Sequence, residues 1–351
     1  MESKLAFNEF LEMLKEADQT FLDPEANLDE QGKVDGYRHF FHLMHAAVDF
    51  YLFNDPLKPR FMPLTNSGRK LFGDNVDAVY YFTQLRGDQE YVIKGRRFDS
   101  CYLSFCIYGG DPHGELADRV TLDINQRDIQ FEEDGSFEIR LTPDPDPGNP
   151  NEFKLEPDSV NMFTREYFFD RPNSTESELS IVNTNPQPPG MPLTDEQLAR
   201  HIRTMAMFFQ CTTWIAPLPV ELPVNEFLPA FEFDPEQGGW GTPDNIYCFA
   251  RFRVEEDEYL NIKIRSPDCC YWGIQTWNFL MQSTNYADFP VCVNNATAIP
   301  SEDGSVEVVL SHREAPRNWM STAGYREGVL FCRWLLADEL PEPPGITVLK
   351  W

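Results

Sequence analysis

Residues 268–338 open on DCCYWGIQTWNF (268–279), pass through DGSVEVVL (303–310) and RNWM (317–320), and close on FCRWLLAD (331–338). An upstream stretch carries the same landmarks in the same order. Asp99 and Tyr102 of DSCYLSF answer Asp268 and Tyr271 of DCCYWGI. Asp134-Gly135-Ser136 with Glu138 answers Asp303-Gly304-Ser305 with Glu307 at the identical separation. Phe163, Arg165 and Asp170 answer Phe331, Arg333 and Asp338 at a separation shorter by a single position. Three landmarks that hold nearly one offset mark an internal duplication of a unit of roughly 110 residues.

Within each copy, short β-rich runs alternate with Gly, Pro, Asp and Asn. In the first they include EYVIKG, CYLSFCIYG, RVTLDI, SFEIRL and VNMFTREYFF. This spacing predicts a protein dominated by β-structure with a minor helical part, built as two tandem antiparallel β-sandwich or jelly-roll-like units. The DGS before FEIRL and before VEVVL fits a tight turn in which Gly supplies a positive φ. Asp77 and Tyr80 of GDNVDAVYYF are matched by Asp244 and Tyr247 of GTPDNIYCF. The units are therefore placed at 73–183 and 241–351, with a helical segment over 1–72 and a Pro-rich linker plus helix over 184–240.

Each sandwich is expected to follow its own helix. MESKLAFNEFLEML begins a short amphipathic helix that drifts into a polar loop. A longer helix is expected from Tyr37 to Phe53, with Tyr37, Phe40, Phe41, Met44, Ala47, Val48 and Tyr51 as its apolar face, stopped by Asn54-Asp55-Pro56. After the extended NTNPQPPGMP, Thr194 and Gln197 form a capping box for the helix that leads into the second unit. APLPVELPVNEFLPAFEFDPEQGGW reads as an irregular, Pro-punctuated connection.

The second unit resembles domain of unknown function 1214, through TPDNIY at Thr242, Tyr271-Trp272, DGSVEVVL, Asn318-Trp319, and Arg333 before WLLAD. The first resembles its partner domain 1254, through GDNVDAVYYF and YVIKG. The resemblance covers roughly 73–351 and implies tandem β-sandwiches; it carries no assigned reaction. Met320-Ser321 follows Trp319 where the family usually shows Trp-Leu-Pro.

Composition narrows the partners. With 351 residues, 28 Phe, 13 Tyr and 7 Trp, the chain has the aromatic stock for two cores. A net charge of −28 repels nucleic acid, anionic membrane and polyphosphates. No apolar run approaches a membrane span, and no signal peptide is visible, so a cytoplasmic location is expected. The eight cysteines show no zinc spacing and are expected to be reduced. The expected partner is a small-molecule ligand, with no nucleic acid and no membrane, and the sequence allows a homo-oligomer.

Nucleotide, flavin, serine-hydrolase and zinc-protease motifs are absent from the sequence, so no cofactor and no metal are expected. His42, His45 and Asp49 share a helix face, which a solvated polar surface accounts for without a metal. Asp268, Asp99 and the Arg–Asp pairs recur in both units and fit turn-capping or strand-end ion pairs, although Asp268 and Arg333 are also candidates for catalysis.

Differences between the copies are more telling than identities, because both copies keep what folding needs. The second unit adds Trp272, Gln275, Trp277 and Asn278, then His312, and then Arg317, Asn318 and Trp319. These types suit a small-molecule pocket, with Tyr271 beside them and His312 as proton carrier. Three readings follow. The first is a cofactor-independent enzyme acting by acid–base chemistry on a small, largely apolar, neutral or cationic molecule in the second sandwich. The second is a carbohydrate binder or glycosidase, which needs paired carboxylates. The third is a non-catalytic binding or assembly protein.

Overall fold

Both copies fold into the same pair of sheets with the same strand order. The computed structural model describes residues 1–17, 28–187, 190–213, 222–236 and 238–351. The first unit runs β1 (Met62–Pro63), β2 (Ala78–Gln84), β3 (Tyr91–Arg96), β4 (Tyr102–Gly109), β5 (Arg119–Asn125), β6 (Ser136–Thr142), β7 (Glu152–Lys154), β8 (Ser159–Tyr167) and β9 (Glu178–Asn183). The second runs β10 (Phe231–Glu232), β11 (Asn245–Arg253), β12 (Glu258–Ile264), β13 (Tyr271–Trp277), β14 (Cys292–Asn294), β15 (Val306–Ser311), β16 (Trp319–Ser321), β17 (Glu327–Leu335) and β18 (Gly345–Lys350).

Five strands make each inner sheet, in orders β1-β2-β8-β4-β5 and β10-β11-β17-β13-β14. Four make each outer sheet, in orders β7-β6-β3-β9 and β16-β15-β12-β18. Pairing is antiparallel except for β6–β7 and β15–β16, the same parallel exception in both copies. Registers correspond as well. Tyr80 sits opposite Arg165 between β2 and β8, and Tyr247 sits opposite Arg333 between β11 and β17.

The DGS turns show why the motif recurs. Gly135 and Gly304 have φ of 83° and 79°. The Asp134 carboxylate accepts from Ser136 N and Oγ at 3.0 and 2.6 Å, and Asp303 accepts from Ser305 at 3.1 and 2.6 Å. One side chain thus satisfies the turn while glycine takes the left-handed backbone.

Three helices accompany the sheets among the described residues: α1 (Glu2–Glu16), α2 (Glu30–Ala47), which runs on into a wider turn at Val48–Leu52, and α3 (Asp195–Thr213). The capping box forms, with Thr194 N donating to Gln197 Oε1 at 2.8 Å and Gln197 N to Thr194 Oγ1 at 3.2 Å. Asp195 also accepts from Glu2 N and from Ser3 N and Oγ, which fixes α1 on α3. No helix among the described residues is long and apolar enough to cross a membrane. The loop at 18–27, Pro188-Pro189 of the linker, and residues 214–221 and 237 of the Pro-punctuated connection lie outside the described residues.

The expected apolar face of the helix holds where Met44, Ala47, Val48 and Tyr51 join the core, and is corrected at Tyr37 and Phe41. Phe41 is 69% exposed and Tyr37 46%, whereas Asp35, His39 and His42 are buried. The polar face is buried because a polar loop of the second unit receives it. Gln282 Nε2 lies 3.0 and 3.2 Å from Nδ1 of His39 and His42, and Asp35 accepts from Asn278 and Tyr325. Hydrogen bonding of this kind is what makes such burial tolerable. Asp49 meanwhile pairs with Arg69 at 2.5 Å and keeps His45 at 3.5 Å, while His42 bonds Lys70 O and leaves the set.

Each sandwich has its own core, around Ile93, Phe105 and Ile139 in the first and Ile262, Trp272 and Leu310 in the second. A third core joins them. The far faces of the inner sheets, with Tyr80, Tyr102, Phe163, Tyr167 and Tyr271, pack together and against Phe50 and Phe208 of the helical layer. Strands β4 and β13 are consequently buried on both faces.

Candidate ligand site between the two units

The units are tied by a reciprocal pair of contacts. Tyr271 donates to Asp77 Oδ2 at 2.8 Å, and Asn294 Nδ2 joins at 2.9 Å. In mirror fashion Tyr102 donates to Asp244 Oδ2 at 2.8 Å, and Asn125 Nδ2 joins at 2.9 Å. Each copy's entry-strand aspartate is therefore satisfied by the other copy. Burial pushes the Asp77 carboxyl above the usual carboxylate range, against its hydrogen bonds from Asn294 and Tyr271.

Beside these ties lies a cavity of about 460 Å³ with walls from both units. Phe163, Phe331, Tyr80, Tyr247, Trp240 and Trp277 supply aromatic surface, and Asp74, Asn245, Arg165 and Arg333 supply polar groups. Arg165 Nη2 donates to Tyr108 OH at 2.8 Å and to Trp240 O at 2.5 Å. Arg333 Nη1 donates to Tyr167 OH at 2.9 Å and Nη2 to Gly73 O at 2.9 Å. Its guanidinium also lies over Phe331 and Trp277, 5.0 and 5.7 Å from the ring centroids.

Among the described residues neither arginine has an ion-pair partner, and Arg165 Nη1, Arg333 Nε and Asn245 Oδ1 are closed to solvent without a hydrogen bond to protein. Two guanidiniums that keep their charge without a counter-ion and line an aromatic cavity are suited to holding an anion. Asp74 is the sole carboxylate that lines the cavity among the described residues. Its oxygens accept from Ser283 N and Oγ at 2.9 and 2.6 Å, and burial nonetheless raises its pKa. Gly73 brings this corner close: its φ is +74°, and a Cβ there would lie 2.7 Å from the Trp277 ring.

Of the residues singled out from the sequence, the structure brings Arg333 and Trp277 to this cavity. Tyr271 stands next to it in the Asp77 tie. Asn278 is buried against α2 through Asp35. Trp272 is in the core of the second sandwich. His312 is on the outer-sheet side, with Nε2 3.1 Å from Val254 O and Nδ1 2.9 Å from Thr322 Oγ1. Asn318 bonds Ile299 and Glu307 backbone, Arg317 bonds the carbonyls of Ile299 and Pro300, and Trp319 Nε1 bonds Ser311 Oγ at 3.1 Å. Asp268 is exposed in a second cleft of about 630 Å³ that also contains Asp338, Cys269, Cys270 and Arg127. The strand-end ion pairs expected of Arg165 and Arg333 are replaced by hydroxyl and carbonyl contacts, because both side chains turn inward to the unit interface.

Arg165, Tyr80, Tyr247, Asn245, Asp74 and Trp240 were not singled out as site residues. A usable signal was present: Arg165 and Arg333 recur at equivalent places in the two copies, and Arg333 stands inside the near-continuous apolar run VLFCRWLL, where a charged side chain has no solvent face.

The chain is similar in structure to a putative uncharacterized protein from Burkholderia cenocepacia, with a TM-score of 0.88 and 29% identity over 98% of this chain and 96% of that one. A protein from Vibrio parahaemolyticus shares the fold, with a TM-score of 0.51 and 11% identity over 90% of this chain and 98% of that one. No family model matches the chain, and no curated protein does. The two-unit fold, helices included, is thus common to this chain and the Burkholderia protein along nearly their whole lengths.

Proposed function

We propose that the protein binds a small molecule with an aromatic or aliphatic body and a carboxylate, held in the cavity between the two units. The observation that carries this reading is the pair Arg165 and Arg333, two guanidiniums without an ion-pair partner among the described residues that line one aromatic cavity. A carboxylate supplies the missing counter-charge, and the rings cover the apolar body. This replaces the neutral or cationic ligand expected from net charge. The charge of −28 sets the long-range field, whereas the cavity's local charge selects what stays bound. A sugar-cleaving reading is disfavoured because Asp74 has no second carboxylate opposite it in the cavity lining among the described residues.

A second reading, cofactor-independent acid–base turnover of the bound acid, rests on Asp74. Its carboxyl lines the cavity, and its raised pKa moves it toward the range of a working proton carrier. We also read the chain as a tandem 1254/1214 protein, because GDNVDAVYYF and GTPDNIYCF lead into the equivalent strands β2 and β11. All eight cysteines are free, which suits a reducing, cytoplasmic setting.

The test is a calorimetric titration with benzoate, phenylacetate and medium-chain fatty acids, each beside its amide. The acids are expected to bind at least ~10-fold tighter than the amides. Arg333→Met and Arg165→Met should each weaken the acid by about 10- to 100-fold, the range of a charge-assisted hydrogen bond. Equal affinity for acid and amide, or acid binding untouched in both variants, overturns the reading.

A further inference from the structure

We propose that Cys101 and Cys270 form an oxidant-responsive thiol pair, reached through the 630 Å³ cleft, that closes into a disulfide joining the two units. The two cysteines are repeat equivalents, at the same offset as the tyrosines that follow them. Each immediately precedes the tyrosine that reaches across to the other unit's aspartate. Their backbone anchors also match, with Cys101 N bonded to Tyr167 O and Cys270 N to Leu335 O, both at 2.9 Å. The symmetry of the duplication therefore brings the two thiols together at the unit boundary.

Cys270 Sγ lies 3.1 Å from Cys101 O, and Cys101 Sγ lies 3.3 Å from Tyr167 O. That contact sets the two cysteines side by side at the unit boundary, and the disulfide forms when the sulfurs turn from their carbonyl partners toward each other. Cys270 lines the cleft, and both residues are half-buried rather than sealed. Contact with Cys101, helped by Arg127 and Arg97, holds the Cys270 thiol below its usual range against burial, while Cys101 is held above its own. Thiolate character of this kind governs attack on peroxides.

The other cysteines do not offer the same arrangement. Cys248 and Cys332 face each other across β11 and β17, but both are sealed in the second core and burial pushes their thiols up. Cys269 shares the cleft, yet burial raises its thiol and its sulfur contacts Ser266 Oγ.

The chemistry balances with hydrogen peroxide as oxidant. The Cys270 thiolate attacks one peroxide oxygen, the O–O bond breaks, and the departing hydroxide takes a proton to leave as water. This leaves a sulfenic acid on Cys270. The Cys101 sulfur then displaces the sulfenic hydroxyl, which leaves as a second water, and the S–S bond forms. Two thiols lose two electrons, and one peroxide gains them.

The experiment treats the full reduced chain with hydrogen peroxide and follows intact mass and non-reducing peptide maps. The expected result is the loss of two hydrogens and a single cross-linked peptide pair joining Cys101 to Cys270, reversed by dithiothreitol. Cys270→Ser should abolish the cross-link, and Cys101→Ser should leave Cys270 gaining oxygen instead. Thermal unfolding of each variant checks that it is folded, and the map of the unsubstituted chain decides the matter if either variant is not. An unchanged mass, a bridge through Cys269 or another cysteine, or a cross-link that persists in Cys270→Ser overturns the proposal.

Discussion

The first and second units have one strand order and one set of registers, yet they contribute different chemistry to the boundary they share. Tyr108 and Trp277 are repeat equivalents, as are Asp123 and Cys292, and Cys106 and Gln275. Arg165 is held by the Tyr108 hydroxyl of its own unit, whereas Arg333 is held by Tyr80 and Tyr167 of the other unit. The first unit thus provides hydroxyls to both arginines. The second provides flat aromatic walls, with the Trp277 and Phe331 rings stacked 3.9 Å apart. Duplication kept the sandwich in both copies, while the candidate site arose in the faces that neither copy could bury alone.

The largest effect should come from the wall. Trp277 is 1% exposed, stacks on Phe331, and donates to Asp74 O at 2.9 Å. Trp277→Ala should cost about 3–5 kcal/mol of stability in denaturant unfolding, through lost burial and the cavity it leaves. Tyr108→Phe at the equivalent position keeps its ring and loses only the hydroxyl that accepts from Arg165, so about 1–3 kcal/mol is expected. Losses in the reverse order would break the division into walls and hydroxyls.

The next effect is a pH dependence specific to the first unit. Asp123 accepts from Thr242 Oγ1 at 2.6 Å, and its other oxygen is closed to solvent without a partner. Burial, reinforced by the charge of Asp244, pushes its carboxyl up to about 6 from 3.8. A raised acid pKa means that the folded chain holds the proton more tightly than the unfolded chain does. Stability from this group is therefore fully present below about pH 4 and is lost as pH rises through 6. Asp123→Asn should remove about 3 kcal/mol of that decline, read as the difference between the stability–pH curves of variant and parent. Cys292 stands at the equivalent place and has no such titration in this window, because burial pushes its thiol well above its usual range. Parallel curves for variant and parent would show that the two positions behave alike.

The repeat was legible because turns and strand ends are encoded locally. Asp134-Gly135-Ser136 and Asp303-Gly304-Ser305 fix their own hairpins, and Thr194 with Gln197 fixes its own helix start. The site was only partly legible, with Arg333 and Trp277 at the cavity. Its other walls come from inner-sheet faces that are covered by the opposite unit, and a comparison of repeats looks for what differs. Arg165 and Arg333 do not differ, so a comparison of differences passes over Arg165 and leaves Arg333 between a strand-end ion pair and a catalytic role. The first half of the α2 stripe was misplaced for a related reason: helical period reveals an apolar face, but not a polar face buried against Gln282 and Asn278.

The smallest expected effect is also the most direct check on where the site lies. His312, Asn318 and Trp319 are additions of the second unit, and a pocket within that sandwich would use them. In the structure they complete the edge of the outer sheet. His312 links Val254 O to Thr322 Oγ1, Asn318 ties Ile299 to Glu307, and Trp319 bonds Ser311. None of the three lines the cavity that Arg165 and Arg333 share. His312→Ala removes two half-buried hydrogen bonds, so a stability loss of about 1 kcal/mol is expected, while the affinity for an aryl carboxylate should stay within about 2-fold of the parent. The same titration in Arg333→Met, which alters the second unit's own contribution to the shared cavity, gives the contrast. A drop of ~10-fold or more for His312→Ala, at unchanged stability, would return the site to the second sandwich and make its added residues the working set.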